Sequence, residues 1–125
     1  MDSKYIIDSS IFVAFYYEGD QNHTKALEII KNILGKTLIV HPYVISEVAT
    51  VLTYKVSKKV AEVFLSDVIG VDDVFIPNPD VLLESEFFLF QKKKISFTDS
   101  TLVYLAKKLN AKLVTFDKQM IASLK

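Results

Sequence analysis

Cysteine is absent from the 125 residues, and so is arginine. The first absence excludes a disulfide framework and any thiolate metal site. The second leaves all fifteen basic charges on lysine, so a phosphate partner would meet flexible point charges rather than the bidentate forks of guanidinium. Long apolar runs are missing too: the longest unbroken one, Ile11 to Tyr17, falls far short of the ~20 residues that a membrane span needs. The stretch MDSKYIID has no basic region leading into an apolar segment, so no secretory signal is expected. Together these absences point to a soluble, cytoplasmic protein with no membrane partner. Fifteen acids balance the lysines to a net charge of +0. That balance does not argue against nucleic acid, because several acids gathered around one cation would leave the remaining surface mildly basic.

What is present is a large apolar complement. Half of the residues are hydrophobic and mean hydropathy is +0.28, which a chain of this length can bury in one domain over residues 1–125. A domain of that size removes roughly 65% of its unfolded surface from water. Lys4 to Ile7 has strong strand preference and runs straight into Asp8. Ser9 or Ser10 is then expected to cap a short buried helix ending near Tyr17. Asn22 to Leu34 carries apolar residues at helical spacing, and Gly35 supplies a left-handed stop. Thr37 to His41 reads as a second strand, closed by Pro42. Helices follow over Tyr43 to Ser57 and Lys58 to Ile69, the second ended by Gly70. Val71 to Ile76 is a short strand with two acids, and Asp80 to Gln91 is a Leu- and Phe-rich helix closed by Lys92, Lys93 and Lys94. Thr98 is expected to cap a helix over Asp99 to Leu109, before a last strand, Lys112 to Phe116, that ends at Asp117.

The order β-α-α-β-α-α-β-α-α-β-α predicts an α/β fold with three α/β/α layers around a central parallel sheet of four to five strands. The nearly continuous apolar character of KYII and KLVTF places those two strands side by side at the centre, with Val71 to Ile76 towards an edge. In such sheets ligands gather beyond the carboxyl ends of the strands. Asp8, Asp99 and Asp117 all fall at element ends, and Glu47 projects from the helix after the second strand, beside Ile45, Val48 and Val51. Each acid has an ordinary explanation: a helix-start acid for Asp99, turn residues for Asp8 and Asp117, a solvated helix position for Glu47. Their joint occurrence favours one pocket. Four carboxylates without cysteine suit a hard, oxygen-seeking cation, Mg²⁺ or Mn²⁺, which can promote in-line attack of water on a phosphodiester. His23 and His41 read as a first-turn helix residue and a strand-end residue, not as ligands.

IIDSS at 6–10, SEVATVL at 46–52, SFTDSTLVYLA at 96–106 and LVTFDK at 113–118 resemble, in order and spacing, the four motif regions of the PIN-domain family, most nearly its compact VapC-type toxin ribonucleases. The resemblance covers essentially the whole chain. It implies a Mg²⁺- or Mn²⁺-dependent ribonuclease for single-stranded RNA, with Asp8, Glu47, Asp99 and Asp117 as catalytic and metal-binding acids and Ser10 and Thr115 in support. With arginine missing, RNA contacts fall to lysines such as Lys118 and the run Lys92, Lys93 and Lys94. The toxin resemblance also implies an antitoxin protein as partner. Housekeeping RNA processing and a non-catalytic metal- or protein-binding module remain open beside it. Other α/β families fit less well: a haloacid-dehalogenase-like phosphatase wants an acid where Ser10 stands, and a metal-dependent adhesion site wants serine where Phe12 stands.

Phe87 to Phe90 cannot all face one core from a helix, and Tyr16 and Tyr17 pose the same problem. Either the helix is buried on two sides, or it offers an apolar surface to a homodimer or to a helix of an inhibitory partner.

Overall fold

The computed structural model describes residues 3–124. Elements follow one another in the expected order: β1 (Lys4–Ile7), α1 (Ser9–Tyr16), α2 (His23–Ile33), β2 (Thr37–Ile39), α3 (Pro42–Lys55), α4 (Lys58–Val68), β3 (Val74–Phe75), α5 (Val81–Phe90), α6 (Phe97–Leu109), β4 (Lys112–Val114) and α7 (Lys118–Ala122). Connections through pairs of helices are long enough for the crossovers that parallel pairing needs, and the strands pair in parallel in one sheet of order β3-β2-β1-β4. α1 packs on α2 and α3, and α3 on α4, as one helical layer. α6 lies against β1 and β4 and carries α5 and α7, which makes the other.

The register sets the site. Ile6 stands opposite Ile39 on one side and Leu113 on the other. One residue beyond β1, the Asp8 N–H still donates to the Val114 carbonyl at 3.0 Å, so the ladder carries the acid itself. From β1 the chain builds outward through β2 to β3, then crosses back to lay β4 on the far side of β1. A crevice opens where the connections on either side of such a junction diverge. Here that junction is β1–β4, and Asp8 and Asp117 flank it.

Ile6, Ile7, Ile11, Val44, Val48, Leu52, Phe64 and Leu102 have no exposed surface, and Phe12 meets Phe64 edge to face at 5.1 Å between ring centroids. Each large side chain buried in this way contributes about 1.5–3 kcal/mol. Gly35 and Gly70 close α2 and α4 with φ of +86° and +75°, the left-handed stops expected of them.

Three expectations need correction. β3 is at an edge and β4 is beside β1, but β4 is itself an edge strand, so only one of the two acid-bearing strands is central. Apolar content misled there because β4 ends at Val114: Leu113 and Val114 are half-buried, unlike Ile6 and Ile7. The N-cap of α1 is Asp8 rather than Ser9 or Ser10, and its side chain makes no capping bond because it is held elsewhere. Ser96, not Thr98, caps α6, its Oγ accepting from the Asp99 N–H at 3.0 Å. Asp99 therefore lies at the third position of the helix, still within the first turn, where the exposed amides favour a negative charge.

Of the two alternatives left open for Phe87 to Phe90, α5 follows the exposed one, and it inverts the usual arrangement of a surface helix. Glu84 is its one buried residue, while Leu82, Leu89 and Phe90 are 79%, 78% and 80% exposed. The run Phe87 to Phe90 is therefore not enclosed on two sides. Tyr16, by contrast, is half-buried against Phe15 and Phe64, and its hydroxyl donates to Asp67.

Candidate active site

Asp8 is 4% exposed and is gripped from two elements. Ser10 Oγ donates to its Oδ2 at 2.8 Å from the first turn of α1, and Thr115 Oγ1 donates to the same oxygen at 2.7 Å from the end of β4. Both hydroxyls also accept a backbone N–H from the loop that follows β4: Asp117 N–H reaches Thr115 Oγ1 at 3.0 Å and Phe116 N–H reaches Ser10 Oγ at 3.4 Å. Those amides occupy an acceptor lone pair on each hydroxyl and leave its proton for Asp8, although the Thr115 hydroxyl also lies 3.7 Å from the Met120 sulfur, a weaker acceptor. The carboxylate is locked through Oδ2 alone. Its Oδ1 is buried without a hydrogen-bond partner, a situation that costs about 1–3 kcal/mol and points to a ligand atom.

Asp99 shows how the other acids relate to it. Its carboxyl is pushed up to about 6, first by burial and then by the negative charge of Asp8, with Asp117 and Glu47 adding smaller contributions and a hydrogen bond from Ser96 working the other way. All four predicted acids thus share one electrostatic neighbourhood. They do not form a closed cage: among the described residues no three His, Asp or Glu side chains are grouped tightly enough to hold an ion by themselves. Asp117 is exposed, and its Oδ1 accepts from the Gln119 and Met120 amides at 2.8 and 3.4 Å as the N-cap of α7. Glu47 is exposed on α3, where it lines an open groove of about 500 Å³ with Tyr43, Ser46, Ser96, Phe97 and Thr98.

The donor set is all oxygen, one buried carboxylate oxygen is unused, and the charge of Asp8 disfavours that of half-buried Asp99. Those features fit Mg²⁺ or Mn²⁺, since Mg²⁺ usually binds through one or two carboxylates and retains several waters rather than filling an all-protein cage. Lys118 is exposed directly after Asp117. Lys92 and Lys93 instead line a separate groove of about 270 Å³ with Phe87, Phe90 and Ile95, and Lys94 is exposed beside them.

Sequence reasoning missed Glu84. This carboxylate is 3% exposed and accepts from His41 Nε2 at 3.0 Å, from the Tyr43 hydroxyl at 2.7 Å and from the Asp80 N–H at 3.1 Å. His41 caps α3, its Nδ1 accepting from the Tyr43 N–H at 3.0 Å, so its single ring proton sits on Nε2 and the ring is neutral. Burial lowers the His41 pKa, although Glu84 works against that shift. Burial would raise the pKa of Glu84, but its three donors more than offset this and hold it below the ordinary range. The same bond pushes Tyr43 up to about 12. The pair links residues 43 apart, and the one signal in the sequence was an acid within a helix rich in leucine and phenylalanine.

A PIN domain model matches residues 5–123. In fold, the chain is similar to the Mycobacterium tuberculosis toxin VapC20, described as Sarcin-Ricin loop cleaving, at 18% identity with a TM-score of 0.81 over 95% of this chain and 94% of that one. It is also similar to PAE2754 from Pyrobaculum aerophilum, at 16% identity with a TM-score of 0.66 over 100% of this chain and 87% of that one. No curated protein matches the sequence. The parallel sheet, the acid at the end of β1 and its partners across the β1–β4 junction are the setting that the motif regions required, and with the model match spanning nearly every residue, the chain belongs to the PIN-domain family.

Proposed function

We propose that the protein is a Mg²⁺- or Mn²⁺-dependent endoribonuclease that cleaves single-stranded RNA, and that it acts in the cytoplasm as the toxin of a type II toxin–antitoxin pair. The observation that carries the reading is the buried, unpartnered Oδ1 of Asp8 in a neighbourhood where Asp99 resists ionisation, first because it is buried and then because Asp8, and to a smaller extent Asp117 and Glu47, stand near it. An acid serving only as a helix-start residue would have no reason to sit half-buried beside the charge of Asp8. RNA as the substrate class is supported by membership of the family and by likeness in fold to a toxin described as cleaving the Sarcin-Ricin loop.

A divalent cation held there supplies Lewis acidity towards a phosphodiester and towards the water that attacks it. The chain's own residues prepare the place. Ser10 and Thr115 hold Asp8 through Oδ2 and leave Oδ1 free of hydrogen bonds. Asp99 holds a proton below about pH 6 and presents an anion above it. Asp117 is fixed at the start of α7 by the cap it provides, and Lys118 next to it is placed to meet phosphate. Among the described residues no helix is long and apolar enough to cross a membrane. The exposed Leu82, Leu89 and Phe90 of α5 support contact with protein, either a second copy in a homodimer or an antitoxin.

The deciding test is cleavage of single-stranded RNA by the purified protein with Mg²⁺, with Mn²⁺ and with EDTA, beside an Asp8→Asn control. Cleavage that requires the metal and vanishes in the control is expected. Equal cleavage by Asp8→Asn, or none by the parent with either metal, would overturn the reading.

A further inference from the structure

We infer that the groove between α3 and the start of α6 is a nucleobase-stacking subsite of the same active site, with Tyr43 and Phe97 as its aromatic face and Ser46, Ser96 and Thr98 as its polar rim. The inference rests on the nuclease reading for the identity of the chain that carries the base. The groove is contiguous with the site: Glu47 lines it, and residues 96–98 immediately precede Asp99. Its chemistry suits a base and not a phosphate. No lysine lines it and its one ionisable acid is Glu47, so an anion would be repelled, whereas a neutral heterocycle finds two rings and three hydroxyls. Aromatic faces of this kind stack on bases with little regard to sequence, and hydroxyls can donate to or accept from base edges.

The aromatic surface is built and held before any ligand arrives. Tyr43 stacks at a tilt on His41 with ring centroids 4.2 Å apart, approaches Phe97 at 6.1 Å, and Phe97 in turn meets Phe88 of α5 at 5.5 Å. The Tyr43 hydroxyl is tied to buried Glu84 at 2.7 Å, so the ring cannot swing out of the groove without breaking a charge-assisted bond. Tyr43 and Phe97 already touch, so a base lies against the row rather than between its rings. Glu84, which the carboxylate site does not use, thereby acts as a positioning residue, fixing the ring that a base would meet. Only an unpaired, unstacked base presents a face to such a row, which makes single-stranded RNA the substrate the groove accepts.

The experiment uses the Asp99→Asn protein with Mg²⁺, so that cleavage cannot intervene, and a short single-stranded RNA carrying one 2-aminopurine, whose fluorescence is quenched on stacking. Quenching on binding is expected, with affinity reduced roughly 5- to 150-fold by Phe97→Leu and by Tyr43→Leu. Tyr43→Phe, which keeps the ring and loses the tether, should still quench but with a smaller loss of affinity. Each variant is compared by its melting curve, and the two leucine variants stand in for each other if one fails to fold. An RNA that binds without quenching, or leucine variants that bind like their parent, would overturn the subsite. So would 2-aminopurine riboside alone binding as tightly as the RNA, since the groove would then be a nucleoside pocket. Quenching that depends on both rings in a protein whose parent cleaves no RNA would leave the subsite standing and remove the nuclease reading.

Discussion

Asp99→Asn should stabilise the metal-free protein at neutral pH and leave it unchanged in acid. An aspartate that ionises near 3.8 in the unfolded chain and at about 6 in the folded one disfavours folding once the unfolded chain can release its proton. Below pH 3.8 both states are protonated and the penalty is absent. It grows as pH rises through the window from 3.8 to about 6, and is complete above it. The gap corresponds to at most ~3 kcal/mol, and because Asp99 is only half-buried, solvent screening reduces this to about 1–2 kcal/mol. Asparagine keeps the shape, and the Ser96 cap is untouched because it uses the backbone amide of residue 99. In a domain of this size the gain is worth roughly 4–8 °C in Tm. Melting curves of parent and variant in EDTA, from about pH 4 to about pH 8, read the effect. A gain of equal size at both ends, or a loss at the alkaline end, would refute the idea that burial and the charge of Asp8 hold Asp99 back. With Mn²⁺ added, the parent should gain Tm through binding to the folded state alone, and the variant should gain much less.

Thr115→Val removes one of the two donors on Asp8 Oδ2 and the acceptor of the Asp117 N–H, so metal-dependent cleavage should fall at least about 10-fold with a stability loss of about 1–3 kcal/mol; an unchanged rate would count against Thr115 as a supporting residue. Glu84→Ala leaves the His41 Nε2–H, the Tyr43 hydroxyl and the Asp80 N–H without their acceptor and should cost about 3–5 kcal/mol in urea denaturation, far more than an exposed acid such as Glu86. Because burial lowers the His41 pKa, the unfolded chain takes up a proton at this residue before the folded one does, and stability should decline as pH falls below 6.5. That slope is opposite in sign to the Asp99 effect and should persist in Asp99→Asn. On α5, Leu89→Lys with Phe90→Lys should lower the solution mass if α5 joins two copies, as light scattering after gel filtration would show; an unchanged dimer would place the contact elsewhere.

Much of the fold was legible because its signals are local. Apolar periodicity marked the helices, β-branched and aromatic runs marked the strands, and Gly35 and Gly70 marked stops that need positive φ. Helix pairs between short strands left a parallel sheet as the workable arrangement. The four acids proposed for the site stood out for a related reason, in that three sit where elements end. What sequence alone left undecided depends on partners distant in the chain. The edge position of β4 is decided by how the chain returns from β3 across the sheet, and by α6 covering a strand of only three residues. Ser10 and Thr115 meet on one oxygen of Asp8 only because β1 and β4 are neighbours, which turns two ordinary hydroxyls into the pair that orients the carboxylate. Glu84 finds His41 and Tyr43 from far along the chain, and that acceptor holds α5 by its one buried residue while Leu82, Leu89 and Phe90 face outward. Periodicity reports which face of a helix is apolar. Whether that face meets the core is settled by the three-dimensional neighbours, and in α5 a hydrogen-bonded acid outcompeted the hydrophobic side for the buried position.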